Sequence, residues 1–534
     1  MTKTDDTATT GKAARSPRTG RTGRTMENSV DAVPPLGRLF PLGLQHVLAM
    51  YAGAVAVPLI VGGALGFSPE ELAFLISADL FVAGLATIVQ SIGFWRFGVR
   101  LPLMQGVTFA AVGPMIAIGQ QHGVQTVFGA VIACGVFMIL IAPFFSQLLR
   151  FFPPIVTGTV ILIIGLSLMR VAAGWIMTGA TEEHPGAPPI NVAFAMGTLL
   201  VIVLIERFAP PALQRVSVLL GLVIGTIAAL FVPGMVDWSH VADAQWFAIV
   251  TPFYFGLPQF EIFSILSMLV VGIVIMTETT GDMIAVGEIV EKPVTRRQLA
   301  DGLRADGLGT VVGGIFNTFP YTAFAQNVGL VSLTGVRSRF VATMAGAILV
   351  VLGLIPAVAA VVEGVPRAVL GGAGIALFGM VAASGIRTLT KVRFNNKNVL
   401  IVAISVGIAL LPTVTPTIYE EFPTWFQLIF DSGISAGAIV AILLNLLLNS
   451  EEMRAARAAD PHIDASDAVR GPAAVALVHP DAEGTGLIPT QLLEGAGPDA
   501  GEADDSAATD DVAVIVGAEA GTDAAEPAAP DDTK

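Results

Sequence analysis

Cysteine is all but missing from this chain. Cys134 stands alone among 534 residues, so no intrachain disulfide can form. It sits in an apolar stretch, where a lone cysteine is a small packing residue. Charge is scarce as well. Asp, Glu, Lys and Arg supply 13% of residues against 54% hydrophobic, whereas soluble domains carry about 25% charged residues. That shortfall excludes an ordinary soluble domain and points to a polytopic membrane protein. HExxH and Walker A patterns and Cys/His metal clusters are lacking, and the GxSxG match GISAG at 433–437 falls inside an apolar run rather than on a strand-to-helix turn, which argues against an enzyme. No apolar run before a small-residue cleavage site follows the N-terminus, so it does not read as a secretory signal.

What charge there is lies unevenly. Residues 1–36 hold six Lys/Arg against four Asp/Glu, and residues 451–534 hold four against nineteen. The segment between, 37–450, is nearly balanced at eighteen against nineteen. The acidic tail, rich in Ala, Asp, Gly and Pro, reads as disordered. The basic arm reads as flexible and suits a nearby anionic lipid surface better than nucleic acid.

A bilayer core needs roughly 20 apolar residues per helix. Fourteen apolar segments run from 40–62 to 430–449. Three of them, 104–118, 304–314 and 324–334, are too short to span alone and are rich in Gly and polar residues. With the N-terminus inside, the loops expected in the cytoplasm carry fifteen Lys/Arg, and the opposite loops carry one, Arg367. Positive loops face the cytoplasm, so both termini are expected there. Arg170 falls within a span, where it snorkels or pairs. Splitting fourteen spans into two sevens puts the halves in opposite orientation. Segments 3 and 10, two of the three short ones, then occupy matching places, the arrangement that marks a transporter site.

Glu278 and Asp282 lie one helical turn apart within segment 8, on one helix face. Carboxylates at that depth are costly and mark an ion or substrate path. No Lys or Arg shares that span. Asp79 in segment 2 reads as a core partner or a channel-lining group. Segment 10 is expected to be broken by Pro320 and Gly329, with Gln326 and Asn327 placing two amides at membrane depth. Gln326 donates and accepts at once, which suits the mixed edge of a flat, neutral heterocycle.

The run from Gln326 to Gly335, QNVGLVSLTG, resembles the signature of the nucleobase–ascorbate transporter family, also called nucleobase–cation symporter-2. That signature has Gln, Glu or Pro, then Asn-x-Gly, four free positions, Thr, and Arg, Lys or Gly. Gln45-His46 resembles the family's QH pair, and Glu278-Thr279-Thr280-Gly281-Asp282 its segment-8 motif. The resemblance covers about residues 37–450.

The family implies an all-α fold of 14 transmembrane segments in a 7+7 inverted repeat, with short strands in segments 3 and 10. Spans 1–4 and 8–11, about 37–150 and 258–365, would form a core domain. Spans 5–7 and 12–14, about 151–257 and 366–450, would form a gate domain that also makes a homodimer. The resemblance gives Glu278 and Gln326 to the nucleobase, with backbone contacts at Phe109 and Ala325 and a stacking role for the Phe109 ring. Asp282 matches the position tied to proton coupling, in which Glu278 can share. Gln45, His46, Asn327, Gly329 and Thr334 match residues that shape the site. Gln326 paired with Asp282 resembles the branch for xanthine or urate rather than uracil. The expectation is uptake by proton symport through the plasma membrane. Sodium ranks behind the proton as coupling ion, and neither a metal nor another cofactor is expected. Uracil transport and an anion channel or exchanger of the same fold stand as alternatives.

Overall fold

The computed structural model describes residues 29–148, 152–181 and 183–449. The arm before residue 29 and the tail from 450 onward lie outside the described residues. In chain order come α1 (Leu36–Ala64), α2 (Pro69–Ile92), β1 (Gln105–Val107), α3 (Val112–His122), α4 (Val124–Leu148), α5 (Pro154–Ile176), α6 (Pro189–Phe208) and α7 (Ser217–Ala229). Then follow α8 (Ile262–Ile289), α9 (Arg296–Ile315), β2 (Tyr321–Ala323), α10 (Ala325–Thr334), α11 (Arg339–Gly353), α12 (Pro356–Glu363), α13 (Arg367–Leu389), α14 (Asn396–Val414), α15 (Thr424–Phe430) and α16 (Gly433–Leu448).

Local chemistry sets several of these ends. Ser68 and Glu71 form a capping box at the start of α2, with Pro69 in its first turn. The Glu261 carboxylate accepts from the Phe263 and Ser264 N–H groups and caps α8. Thr295 and Gln298 make a second capping box ahead of α9. Such caps satisfy donors that the first helical turn leaves unpaired.

Among the described residues, eight helices are long and apolar enough to cross a bilayer, and ten if each bent pair counts as one span. The bent pairs are α11–α12 and α15–α16, each turning by 81°. Three expectations change here. Segment 9 is not confined to 304–314, because α9 has 20 residues, about 30 Å of helix. Its charged first half hid its length. Segment 11 is broken rather than continuous, because Pro356 stands at the start of α12 and proline cannot continue a preceding helix. Gly329 does not interrupt segment 10 but lies within α10, with open space beside it. A single helical glycine costs only about 1 kcal/mol, too little to end a helix.

The most extensive packing joins distant parts of the chain: α2 with α11, α4 with α9, and α5 with α13. Each of these crossings brings two glycines face to face. A Cβ added to Gly135 on α4 would lie 2.7 Å from the Gly307 carbonyl oxygen on α9, and one on Gly307 would lie 2.8 Å from that of Gly135. Gly84 on α2 meets Gly346 on α11 in the same reciprocal way, as does Gly158 on α5 with Gly385 on α13. Small residues let membrane helices approach backbone to backbone.

Between these layers β1 and β2 pair antiparallel, with Gln105 opposite Ala323 and Val107 opposite Tyr321. Thr108 N–H to Pro320 O (2.9 Å) and Phe324 N–H to Met104 O (3.0 Å) extend the pairing at both ends. Residues just before α1 are tied down too. Val30 is buried and its carbonyl accepts from Arg339 N–H, while Asp31 pairs with Arg339 at 2.7 Å and Lys292 at 3.5 Å.

Candidate functional site

The strand pair organises the site. β2 leads through Phe324 directly into α10, so Ala325 and Gln326 occupy the first turn of that helix. Helical N–H groups there lack intrahelical partners and carry the positive end of the helix dipole. Phe324 is buried, and its ring packs against the small faces of Gly53 on α1 and Gly106 on β1. Gln326 is half-buried and Ala325 exposed. The Phe109 ring lies just beyond β1, 9% exposed, edge-on to Phe378 at 5.9 Å. It also lies close to Gly53.

Helix α8 is fastened to β2 by the residue next to Glu278. The Thr279 hydroxyl accepts from Ala323 N–H at 3.1 Å and shares a hydrogen bond with the Thr322 hydroxyl at 3.0 Å. This sets the half-buried Glu278 beside the strand that runs into Gln326. Asp282, one turn on, lies within electrostatic reach of both Glu278 and Asp306. Asp306 on α9 is fully buried, and its carboxylate accepts from Gln90 Nε2 at 2.9 Å. Thr279 and Gln105 face the same carboxylate. Three carboxylates thus converge from α8 and α9 beside the strand pair.

Asp306 was not legible as a site residue, because the stretch before it, RRQLADGLR, is charged and the segment 304–314 that holds it looked too short to span. The capping-box pattern Thr295-Arg-Arg-Gln298 was the signal that a helix starts there and carries Asp306 inward. Thr279, within the recognised motif, had no role assigned to it.

The other expected residues divide by position. Asn327 is buried and binds His46 across the α10–α1 contact, through Nδ2 to His46 O at 2.9 Å and to Nδ1 at 3.1 Å. Gln45, beside it, is half-buried. Thr334 closes the far end of α10, donating to Leu330 O at 2.8 Å, before Gly335 takes up a left-handed φ of 64°. Gly329 and Thr334 therefore shape the helix carrying Gln326 and stand away from its first turn. Asp79 is a core partner, accepting from Tyr321 Oη at 2.8 Å and Thr318 Oγ1 at 3.1 Å. Arg170 pairs within the protein, from Nη1 to Pro412 O at 3.2 Å. Cys134 is buried.

Comparison with known proteins bears on what this arrangement handles. The model of a permease family, Xan_ur_permease, matches residues 37–418. The xanthine permease of Bacillus subtilis (strain 168) is 47% identical over 414 residues, 77% of this chain and 94% of that protein. The uric acid transporter UacT of Escherichia coli (strain K12) is 45% identical over 433 residues, 80% of this chain and 89% of that protein. Among solved structures, the transmembrane domain of the cyanobacterial bicarbonate transporter BicA superposes with a TM-score of 0.53 at 17% identity, covering 77% of this chain and 98% of that one. At that identity the likeness concerns the fold.

Proposed function

Because the chain belongs to the nucleobase–ascorbate transporter family of permeases, we propose that it imports an oxidised purine, xanthine or urate, by proton symport. The relatives are permeases, not enzymes, and the chain is a multi-pass membrane protein of that kind. The observation that carries the proposal is the convergence of Glu278, Asp282 and Asp306 on the strand pair that launches Gln326.

In this reading Glu278 accepts from the ring N–H groups of the base, and Gln326 reads a mixed donor–acceptor edge. The free N–H groups of the first α10 turn hold a carbonyl oxygen of the base. Phe109 stacks on the ring face. Asp282, facing two other carboxylates, carries the proton. Binding a proton lessens the like charge the carboxylates would otherwise carry as the site moves through a low-dielectric barrier. Names of two relatives, one for xanthine and one for uric acid, support the purine over uracil.

The architecture we propose is fourteen spans in two inverted sevens. Shifting every segment by seven turns the α2–α11 contact into α9–α4 and the α1–α11 contact into α8–α4, and all four contacts occur. The glycine crossings Gly84–Gly346 and Gly135–Gly307 exchange under the same shift. α1–α4 with α8–α12 then form the core that carries the site, and α5–α7 with α13–α16 form the gate and the homodimer contact. Alternating access moves one against the other. The arginine and lysine distribution supports both termini in the cytoplasm.

Uptake of labelled xanthine and urate into proteoliposomes, with a proton gradient and with a protonophore, tests the proposal. Accumulation that collapses with the protonophore is expected. Accumulation that follows a sodium gradient instead would overturn the coupling ion, and a steady current without accumulation would favour a channel.

A further inference from the structure

A separate cavity of about 550 Å³ opens between the helices of the proposed core and gate. That volume falls within the range of roughly 300–1,000 Å³ typical of small-molecule sites. It lies at the end of the bundle where α1, α3, α5 and α14 finish and α13 and α16 begin. In the proposed orientation this is the outer face. Neither Glu278 nor Gln326 lines it.

Its chemistry resembles that of the inner site in kind. Trp175, half-buried, offers an aromatic face, and Gln120 and Gln121 add two amides. Arg170 and Arg367 bring guanidinium groups, and Asp431 a carboxylate. A guanidinium has five donors, of which Arg170 uses one on Pro412 O. Two buried polar atoms on the wall, Ser167 Oγ and Asp431 Oδ1, have no hydrogen-bond partner. Both atoms are closed off from the cavity space, so the groups that face it are the indole, the guanidinium groups and the amides. An inorganic anion would meet Glu363 and Asp431 on the same wall. A lipid tail would leave the guanidinium and amide groups unpaired. A planar heterocycle with donors and acceptors around its edge satisfies both signs of charge and covers the indole.

The cavity is also connected to the inner site by aromatic rings. Trp175 packs on Phe378 at 6.3 Å, and Phe378 meets Phe109 at 5.9 Å. We propose that this cavity is a second, outer binding station for the transported purine, which stacks on Trp175 before passing Phe378 and Phe109. The station rests on the nucleobase reading above and adds to it a place where substrate waits.

The test uses the full chain in nanodiscs with the inner site disabled by Glu278→Gln. Xanthine and urate are titrated while tryptophan fluorescence is followed, and the same titration on Glu278→Gln/Trp175→Phe corrects for purine absorbance. A saturable change in the first variant, lost in the second, is expected. In a wild-type inner site, Arg170→Gln should raise the KM of uptake roughly tenfold, as loss of one charge-assisted hydrogen bond does, with kcat kept. Gln120→Ala/Gln121→Ala should shift KM in the same direction and guards against a folding defect at Arg170. If the wild-type protein binds and transports purine but Glu278→Gln shows no Trp175-dependent change, the outer station falls and the permease reading stands. If the wild-type protein neither binds nor transports any purine, both fall together.

Discussion

The side-chain amide of Asn327 donates to both the carbonyl oxygen and Nδ1 of His46, at 2.9 and 3.1 Å. With Nδ1 accepting, the ring proton sits on Nε2 and the imidazole is neutral. His46 is thereby a brace between α1 and α10, and it holds the helix that carries Gln326.

Asn327→Ala should leave one buried acceptor, His46 Nδ1, unsatisfied, at about 1–3 kcal/mol, and weaken purine affinity roughly tenfold. His46→Asn should lower uptake yet keep the shape of its pH profile between about pH 5 and 8, where a titrating histidine would show itself. A limb lost from that profile would make His46 a proton carrier.

Glu278 and Asp282 should separate by experiment although they share a helix face. Glu278→Gln removes the acceptor offered to ring N–H groups and should abolish purine binding at the inner site. Asp282→Asn should bind purine within a few-fold of wild type but no longer accumulate it against a gradient. Equilibrium binding alongside gradient-driven uptake gives both readouts. Equal loss of binding in the two variants would erase the distinction.

Asp306 invites a split between stability and transport. Its Oδ1 accepts from Gln90, whose amide also donates to Gly302 O at 3.2 Å and whose own oxygen accepts from Val99 N–H at 3.0 Å. Asp306→Asn keeps an acceptor for Gln90 and should melt close to wild type. It removes an ionisable group beside Asp282, and uptake should fall at least about tenfold, a change of about 1.4 kcal/mol. A melting temperature lowered as far as in Asp306→Ala would reduce Asp306 to a structural role.

Glu261 gives a pH-dependent stability outside the membrane. Partial burial pulls its carboxyl upward, but hydrogen bonds from Ser264 and Phe263 outweigh this and hold it below the ordinary 4.5. A depressed carboxylate contributes stability above its unfolded value and loses it as pH falls through the folded one. The melting difference between wild type and Glu261→Gln should therefore be constant above about pH 5 and shrink as pH drops below 4.5. A difference that persists undiminished at low pH would remove the capping charge as its source.

Much of the site was legible in the sequence because it rests on local pattern. The turn-spaced carboxylates mark α8, and the QN pair marks the first turn of α10. The short strands implied by the resemblance appear as β1 and β2, with Gln105 opposite Ala323. What escaped depends on partners far along the chain. Asp306 reads as one polar residue in a short segment until Gln90, over two hundred positions away, is seen to hold it. The bend before Pro356 and the continuity of α10 through Gly329 depend on which backbone groups find partners. Glycines 84, 135 and 158 could be seen in the sequence, but nothing there names the glycines they meet.

Those glycine crossings have a mechanical consequence. Where backbones touch with no side chain between them, there is almost nothing to compress or re-pack, and the joint is stiff. Two such joints lock α2 to α11 and α4 to α9, around the strands that carry the site, and a third locks α5 to α13. Between those joints the contact includes rings as well, at Phe109, Phe378 and Trp175. These rings meet edge-on or tilted with no hydrogen bond between them, so under the proposed transport reading the stiff joints would flank a looser contact on the substrate's route.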